Sequence, residues 1–163
     1  MKPDEKIQAH LVSVWREAKK FFSVGGREGM LILTDKHLSF IHKTEAKKKW
    51  WDAIRQRQTV HFLKSKDTMI THDGYDENNL KEDLNSDKNV ELGFDDIRKI
   101  SYEEKEWGSI LLIEYEKDGK LEKHQYSIAQ DWVKYPAKEP TKYMKVDWGP
   151  FVNYIKERQK VTR

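Results

Sequence analysis

Gly29-Met30-Leu31-Ile32-Leu33-Thr34-Asp35-Lys36-His37-Leu38-Ser39-Phe40-Ile41 holds two β-type runs, Gly29 to Leu33 and His37 to Ile41, joined at Thr34-Asp35-Lys36. In the second run polar and apolar residues alternate, the pattern of a strand with two different faces. The pair predicts a hairpin. Downstream, Val90 to Phe94, Ile97 to Tyr102, Ser109 to Glu116 and Leu121 to Ile128 are further short β-type runs, and Asp118-Gly119 between the last two is a tight-turn signal. Closely spaced strands with short links predict an antiparallel meander.

Helical patterns surround this meander. Asp147 is a candidate N-cap, and Trp148, Phe151, Val152 and Ile155 follow at i, i+3, i+4 and i+7, one apolar face suited to plugging a core. Residues 43 to 89 separate two strands by more than a structureless loop allows in a compact domain, so helices are expected there. Thr44 can cap one in which Trp50, Trp51, Ile54, Gln58, His61 and Phe62 share a broad face, with a shorter helix around Leu80 and Leu84. Pro136 and Pro140 bracket an irregular connection before the last helix. The N-terminal segment is ambiguous: Ile7, Leu11, Val14, Trp15, Ala18 and Phe22 fit a helix, while Leu11-Val12-Ser13-Val14-Trp15 has strand propensity. Periodicity favours the helix there.

Gly29 to Phe40 resembles the G-x-L-x-L-T-[ND]-K-R-L-x-F hairpin of GRAM and bacterial pleckstrin-homology-like (PH-like) domains. Phe94-Asp95-Asp96-Ile97-Arg98-Lys99-Ile100 resembles that family's "DI..I" strand, Gly108 to Ile113 with Asp118-Gly119-Lys120 its next hairpin, and the Trp148 helix its closing helix. The resemblance implies an α+β, mainly β fold: a PH-like seven-stranded bent antiparallel barrel with a C-terminal capping helix and, here, a helical insertion between strands 3 and 4. One domain over residues 1–163, with the insertion at about 43–89, is expected. It also favours a strand near Leu11, against the periodicity, because seven strands otherwise come up one short. The family's usual link between strands 3 and 4 is short. The Lys/Arg cluster that phosphoinositide-binding PH domains carry around the first hairpin loop is reduced to Lys19, Lys20 and Arg27.

The composition bounds the chemistry. The 163 residues contain no Cys, which removes disulfides, thiolate nucleophiles and Cys-type zinc sites and suits a reducing compartment. No apolar run approaches the roughly 20 residues that span a bilayer, and the start MKPDEKIQAH lacks a signal-peptide core. A cytoplasmic location, peripheral to the membrane when bound, is expected. The net charge of +3 is too small to argue for nucleic acid by itself, but the charges segregate along the chain. Lys43, Lys47, Lys48, Lys49, Arg55, Arg57, Lys64 and Lys66 surround Trp50-Trp51, followed by an acidic stretch from Asp67 to Asp96.

A basic helix bearing Trp suits an anionic membrane interface, where each Lys or Arg contributes about 1 kcal/mol, so five contacts give a dissociation constant on the order of 0.1 mM. In an up-and-down meander the first and third connections open at the same end, so Lys19, Lys20 and Arg27 can join Lys43 to Lys49 around one mouth. The expected ligand-binding residues for an anionic surface or head group are therefore Lys47, Lys48, Lys49, Trp50, Trp51, Arg55, Arg57, Lys19, Lys20 and Arg27. The alternative is that both Trp rings pack on the barrel and the lysines are a solvated face. The acidic stretch can pair with the basic helix or serve as a partner-binding face. A non-enzymatic binding or adaptor module is expected, with anionic lipid or a protein as partner and nucleic acid disfavoured. No catalytic residue, metal site or cofactor is assigned. His72-Asp73 with upstream His61 resembles the ligand doublet of HD-type phosphohydrolases, a fold that sets it among helices, but Gly74 follows at once and the rest of the chain reads as β. Asp73, Asp76, Glu77 and Asn79 lack EF-hand spacing, and no G-x-S-x-G, H-E-x-x-H, P-loop or dinucleotide fingerprint occurs.

Overall fold

The computed structural model describes residues 1–18, 26–44, 48–132 and 140–162, without the side chains of 48, 49, 131, 132, 140–142 and 160–162. Its elements run β1 (Ile7–Ala18), β2 (Arg27–Thr34), β3 (His37–His42), α1 (Lys48–Lys64), α2 (Glu77–Asp83), β4 (Val90–Gly93), a 3₁₀ turn (Phe94–Asp96), β5 (Ile97–Lys105), β6 (Gly108–Lys117), β7 (Lys120–Trp132), β8 (Pro140–Tyr143) and α3 (Gly149–Thr162). The strands form one antiparallel sheet in the order β4-β3-β2-β1-β7-β6-β5, and β8 adds to β7.

The hairpin read at Thr34-Asp35-Lys36 is present, with Leu33 opposite Leu38 and Gly29 opposite His42. Its unbroken apolar run has a physical reason. Side chains alternate across a strand, so Leu31 and Leu33 enter one core with Leu38 and Phe40, while Met30 and Ile32 enter a second core with Ile41. Both faces of β2 are covered, and neither can afford a polar position. The Asp118-Gly119 turn has φ of 54° and 78°, the left-handed pair that a two-residue hairpin loop between Lys117 and Lys120 requires.

The N-terminal segment is a strand, so the helical periodicity is overridden. Val14–Arg16 of β1 pair with both β2 and β7, Glu17 and Ala18 with β7 alone, and the register against β2 slips between Leu11 and Val14 where Ser13 has φ 54°. A bulge of this kind bends a strand and increases its twist, which lets β1 join both halves of the sheet. The apolar residues that matched a helical face fall on both sides of this bent strand: Leu11 and Val14 in the first core, Ile7 packed against the second.

The seven-strand path expected is complete, and β8 is an addition. It lies where an irregular connection was expected; Pro140 opens it, a strand position at which a missing N–H is tolerated. Residues 133–139, including Pro136, fall outside the described residues.

Trp148, which immediately precedes helix α3, and Phe151, Val152 and Ile155 of the helix plug the first core, all fully or almost fully buried. Trp148 Nε1 donates to the Ser109 carbonyl at 3.3 Å, and Asp147 Oδ1 accepts the Gly149 N–H at 2.8 Å. The insertion covers the opposite face of β1–β3, where Trp51, Ile54, Tyr75 and Leu80 close the second core. Thr44, read as the cap of α1, abuts residues 45–47, which lie outside the described residues.

Candidate functional site

Four strand ends meet at one end of the sheet. Arg16 of β1 stands opposite Arg27 of β2, Gly29 stands opposite His42 of β3, and Phe40 stands opposite Val90 of β4. Beyond the ladder, the Lys43 N–H donates to the Glu28 carbonyl at 3.2 Å and the His42 N–H donates to Asn89 Oδ1 at 2.8 Å. The residues leaving β3 and entering β4 are thus held beside the start of β2. Arg16, Arg27, Lys43 and Lys88 gather there around His42.

The field of this group is visible at His42. Burial is the first cause lowering its pKa, and the charges of Arg16, Arg27 and Lys88 lower it further, against a hydrogen bond to the Lys88 backbone that raises it. Arg27 and Lys88 are exposed and make no ion pair among the described residues. Arg16 lies over the Phe40 ring at 4.4 Å, and Lys43 Nζ pairs with Glu28 Oε1 at 3.1 Å. The other acids nearby are Glu17, which accepts from Trp15 Nε1 and Gln125 Nε2, and exposed Asp87 beside Lys88, so four cations face three carboxylates. The end therefore presents more positive charge than its own carboxylates neutralise, an arrangement suited to an incoming anion.

The residues expected to bind separate into groups. Arg27 is on this rim. Lys48 and Lys49 begin α1 next to it, though their side chains are outside the description, as are Lys19, Lys20 and Lys47 entirely. Arg55 is half-buried and Arg57 exposed, the latter about 14 Å along the helix axis from Lys48.

Trp51 requires a correction. It is 0% exposed and its Nε1–H donates to Ser13 Oγ at 3.2 Å, so as folded it cannot anchor in a membrane. Trp50 is half-buried, stacked on His10 with ring centroids 5.6 Å apart, and donates through Nε1 to the Asp73 carbonyl. Both rings fasten the insertion to the sheet, which is the packing alternative.

Gln58, placed on the same helix face, carries a stronger fastening. Its Nε2–H donates to the Val12 carbonyl at 2.7 Å, and its Oε1 accepts the Val12 N–H at 2.9 Å and His72 Nε2–H at 3.0 Å. A side-chain amide thus replaces the strand partner that the bulge in β1 removes from Val12. Burial first, then the charges of His61 and Arg57, hold His72 down to about 4, so it is neutral at physiological pH. His61 donates instead to the Asp67 carbonyl, and among the described residues His61, His72 and Asp73 form no group with convergent ligand atoms.

Four carboxylates of the acidic stretch accept hydrogen bonds within the fold, two of them as local caps. Asp76 caps α2 through the Asn79 N–H, Asp83 accepts the Tyr75 hydroxyl at 2.6 Å, Glu77 accepts the Ile7 N–H and Asp96 accepts the Gly93 N–H. Sequence reasoning passed over Arg16, His42 and Lys88 because no local pattern marks them. Their shared position depends on strand register.

Seven antiparallel strands in this order, β1 shared by both halves of the sheet, and a C-terminal helix stoppering one core together decide the architecture. The fold is PH-like. The PH-like barrel is interrupted between β3 and β4 by the α1–α2 insertion. No family model matches the chain, and no curated protein matches it. Among solved structures it is similar to a Vps36 N-terminal PH domain, at 13% identity over 100% of this chain and 86% of that one with a TM-score of 0.49. It is also similar to the hSac2 domain from human phosphoinositide phosphatase Sac2, at 10% identity over 99% and 72% with a TM-score of 0.42. At these values the likeness carries nothing about ligand. Among the described residues no helix is long and apolar enough to cross a membrane.

Proposed function

We propose that this chain is a non-catalytic binding module whose basic end docks on an anionic membrane surface or its phosphorylated head groups. The supporting observation is the convergence of Arg16 and Arg27 on β1 and β2 with Lys43 just after β3 and Lys88 just before β4, of which only Lys43 has a carboxylate ion-pair partner among the described residues. At about 1 kcal/mol per cation near an anionic surface, these four supply about 4 kcal/mol, a dissociation constant of about 1 mM. Lys19, Lys20 and Lys47 belong to the two connections that open at this end, and counting them brings the total to about 7 kcal/mol, on the order of 10 μM. Charge rather than Trp insertion supplies the affinity, because Trp51 belongs to the core. Arg55, Arg57, Lys48, Lys49 and the partly exposed edge of Trp50 are flanking contacts in this reading.

Binding driven by charge is screened by salt. Co-sedimentation with vesicles of neutral lipid and of neutral lipid doped with phosphatidylserine, at low and high salt, tests the proposal. The expected result is retention on the anionic vesicles at low salt, lost at high salt and absent on neutral ones. No retention on anionic vesicles at low salt removes the reading.

A second reading, a protein-binding scaffold, draws on β5, whose outer edge pairs with no described strand. It predicts that vesicle composition leaves sedimentation of the chain unaltered.

A further inference from the structure

We propose that Glu5, His37 and Glu91 form a binding site for a divalent transition-metal ion of the zinc type, which ties the N-terminal segment, the β2–β3 hairpin and edge strand β4 together. The three residues lie far apart in the sequence, so no ligand spacing marks them. The fold brings one ligand atom from each within 4.8 Å of the others. His37 Nδ1 stands 2.8 Å from Glu5 Oε1 and 3.8 Å from Glu91 Oε2. Ligands held at 2.0–2.1 Å from a tetrahedral ion are about 3.3 Å apart, so the two separations bracket the spacing needed and only small side-chain shifts are required.

The donor set selects the ion. One imidazole nitrogen with two carboxylates suits zinc and its first-row neighbours, with water completing the fourth position. Calcium requires six to eight oxygens and magnesium near-ideal octahedral oxygen coordination, neither of which this trio supplies.

Supporting contacts around the trio are those of an oriented ligand shell. Glu5 has a fully buried side chain; Thr34 Oγ–H donates to its Oε2 at 2.6 Å and the Lys2 N–H to its Oε1 at 3.0 Å. Such contacts fix a ligating carboxylate. Burial tends to raise the Glu5 pKa, but the hydrogen bonds from Lys2, Thr34 and His37 outweigh it, so the carboxyl is held below its usual range and ionised. Glu91 Oε2 is a buried atom that accepts no hydrogen bond, though the Met1 amine forms an ion pair with it at 3.2 Å and a hydrogen bond to Oε1 at 3.3 Å, so a metal ion takes the place of that ammonium. Lys117 donates to the Glu91 backbone carbonyl, so Met1 is the cation paired with this carboxylate among the described residues. A metal ion binds Glu91 Oε2 and His37 Nδ1, taking the place of the 2.8 Å contact between His37 and Glu5.

The test uses the full chain stripped with a chelator, titrated calorimetrically with zinc chloride and separately with calcium and magnesium chloride, with the thermal midpoint read at each end point. Vesicle binding plays no part in the readout, so this proposal stands or falls apart from the one above. The expected result is one zinc per chain, a raised thermal midpoint and no comparable response to calcium or magnesium. Glu91 sits on an edge strand and is partly exposed, so Glu91→Gln folds, and it is expected to lose at least about tenfold in zinc affinity. His37→Gln provides a second variant, and cobalt substituted for zinc gives the visible d–d absorption of a tetrahedral site in the parent but not in His37→Gln. Absence of saturable zinc binding overturns the proposal. So does one-to-one binding retained in both variants, which would place the ion on other histidines.

Discussion

Replacing Gln58 by Leu removes the amide that stands in for a strand partner at the bulge of β1. Gln58 is buried, and its side chain satisfies both the N–H and the carbonyl of Val12, at 2.9 and 2.7 Å, where the β1–β2 register slips. Leucine fits most of the volume but offers neither donor nor acceptor, and Val12 is fully buried with no route to water. Leaving each buried backbone group unpaired costs about 1–3 kcal/mol, so the pair costs about 4 kcal/mol. For a chain of this size each kcal/mol moves the thermal midpoint by about 2–4 °C, so the expected fall is about 8–16 °C. Circular dichroism melts and urea titrations measure it, with an unchanged denaturant slope showing that the same surface unfolds. A Gln58→Leu variant within about 1 kcal/mol of the parent would refute the role of α1 as a fastening for β1.

Trp51→Ala is expected to cost about 3–5 kcal/mol in the same melts, as for other buried aromatics, and Trp50→Ala clearly less; equal losses would contradict the burial difference between them. Stability is also expected to fall in mild acid. Above pH 6.5 His72 is neutral in both states; below it the unfolded chain takes up a proton that the folded chain refuses until about pH 4, so unfolding gains over that window. His72→Asn should flatten the pH dependence between 6.5 and 4, and an unchanged profile would show that His72 is not its source. Lys88→Glu exchanges one attraction for one repulsion at the basic end, about 2 kcal/mol or roughly 30-fold weaker vesicle binding, whereas the same reversal at Arg57 should act more weakly. Equal effects at both positions would move the contact surface onto α1.

Local chemistry made much of this fold legible. The Asp118-Gly119 turn, the β2–β3 hairpin and the apolar stripe of α3 each declare themselves within a dozen residues. Segment 7–18 did not, since its apolar spacing matched a helix. Only the bulge at Ser13 and the cover on both faces of β1 explain why a strand can carry that pattern. The two Trp of α1 were ambiguous for a related reason. Basic residues beside Trp look alike whether the rings meet lipid or a sheet, and the difference lies in Ser13, His10 and Asp73, which are distant in sequence. The basic end was half legible. Arg27 and the lysines of the two connections follow from meander geometry, but Arg16, His42 and Lys88 join them only through strand register.

The most direct test of the proposed docking is a map of backbone amide NMR shifts on titration with small bicelles carrying anionic lipid. Shifts concentrated at Arg16, Arg27 to Gly29, His42, Lys43 and Lys88 to Val90, suppressed by salt, are the expected result. Shifts centred on Val60 to Lys64 and Trp107, or none at any lipid charge, would contradict it.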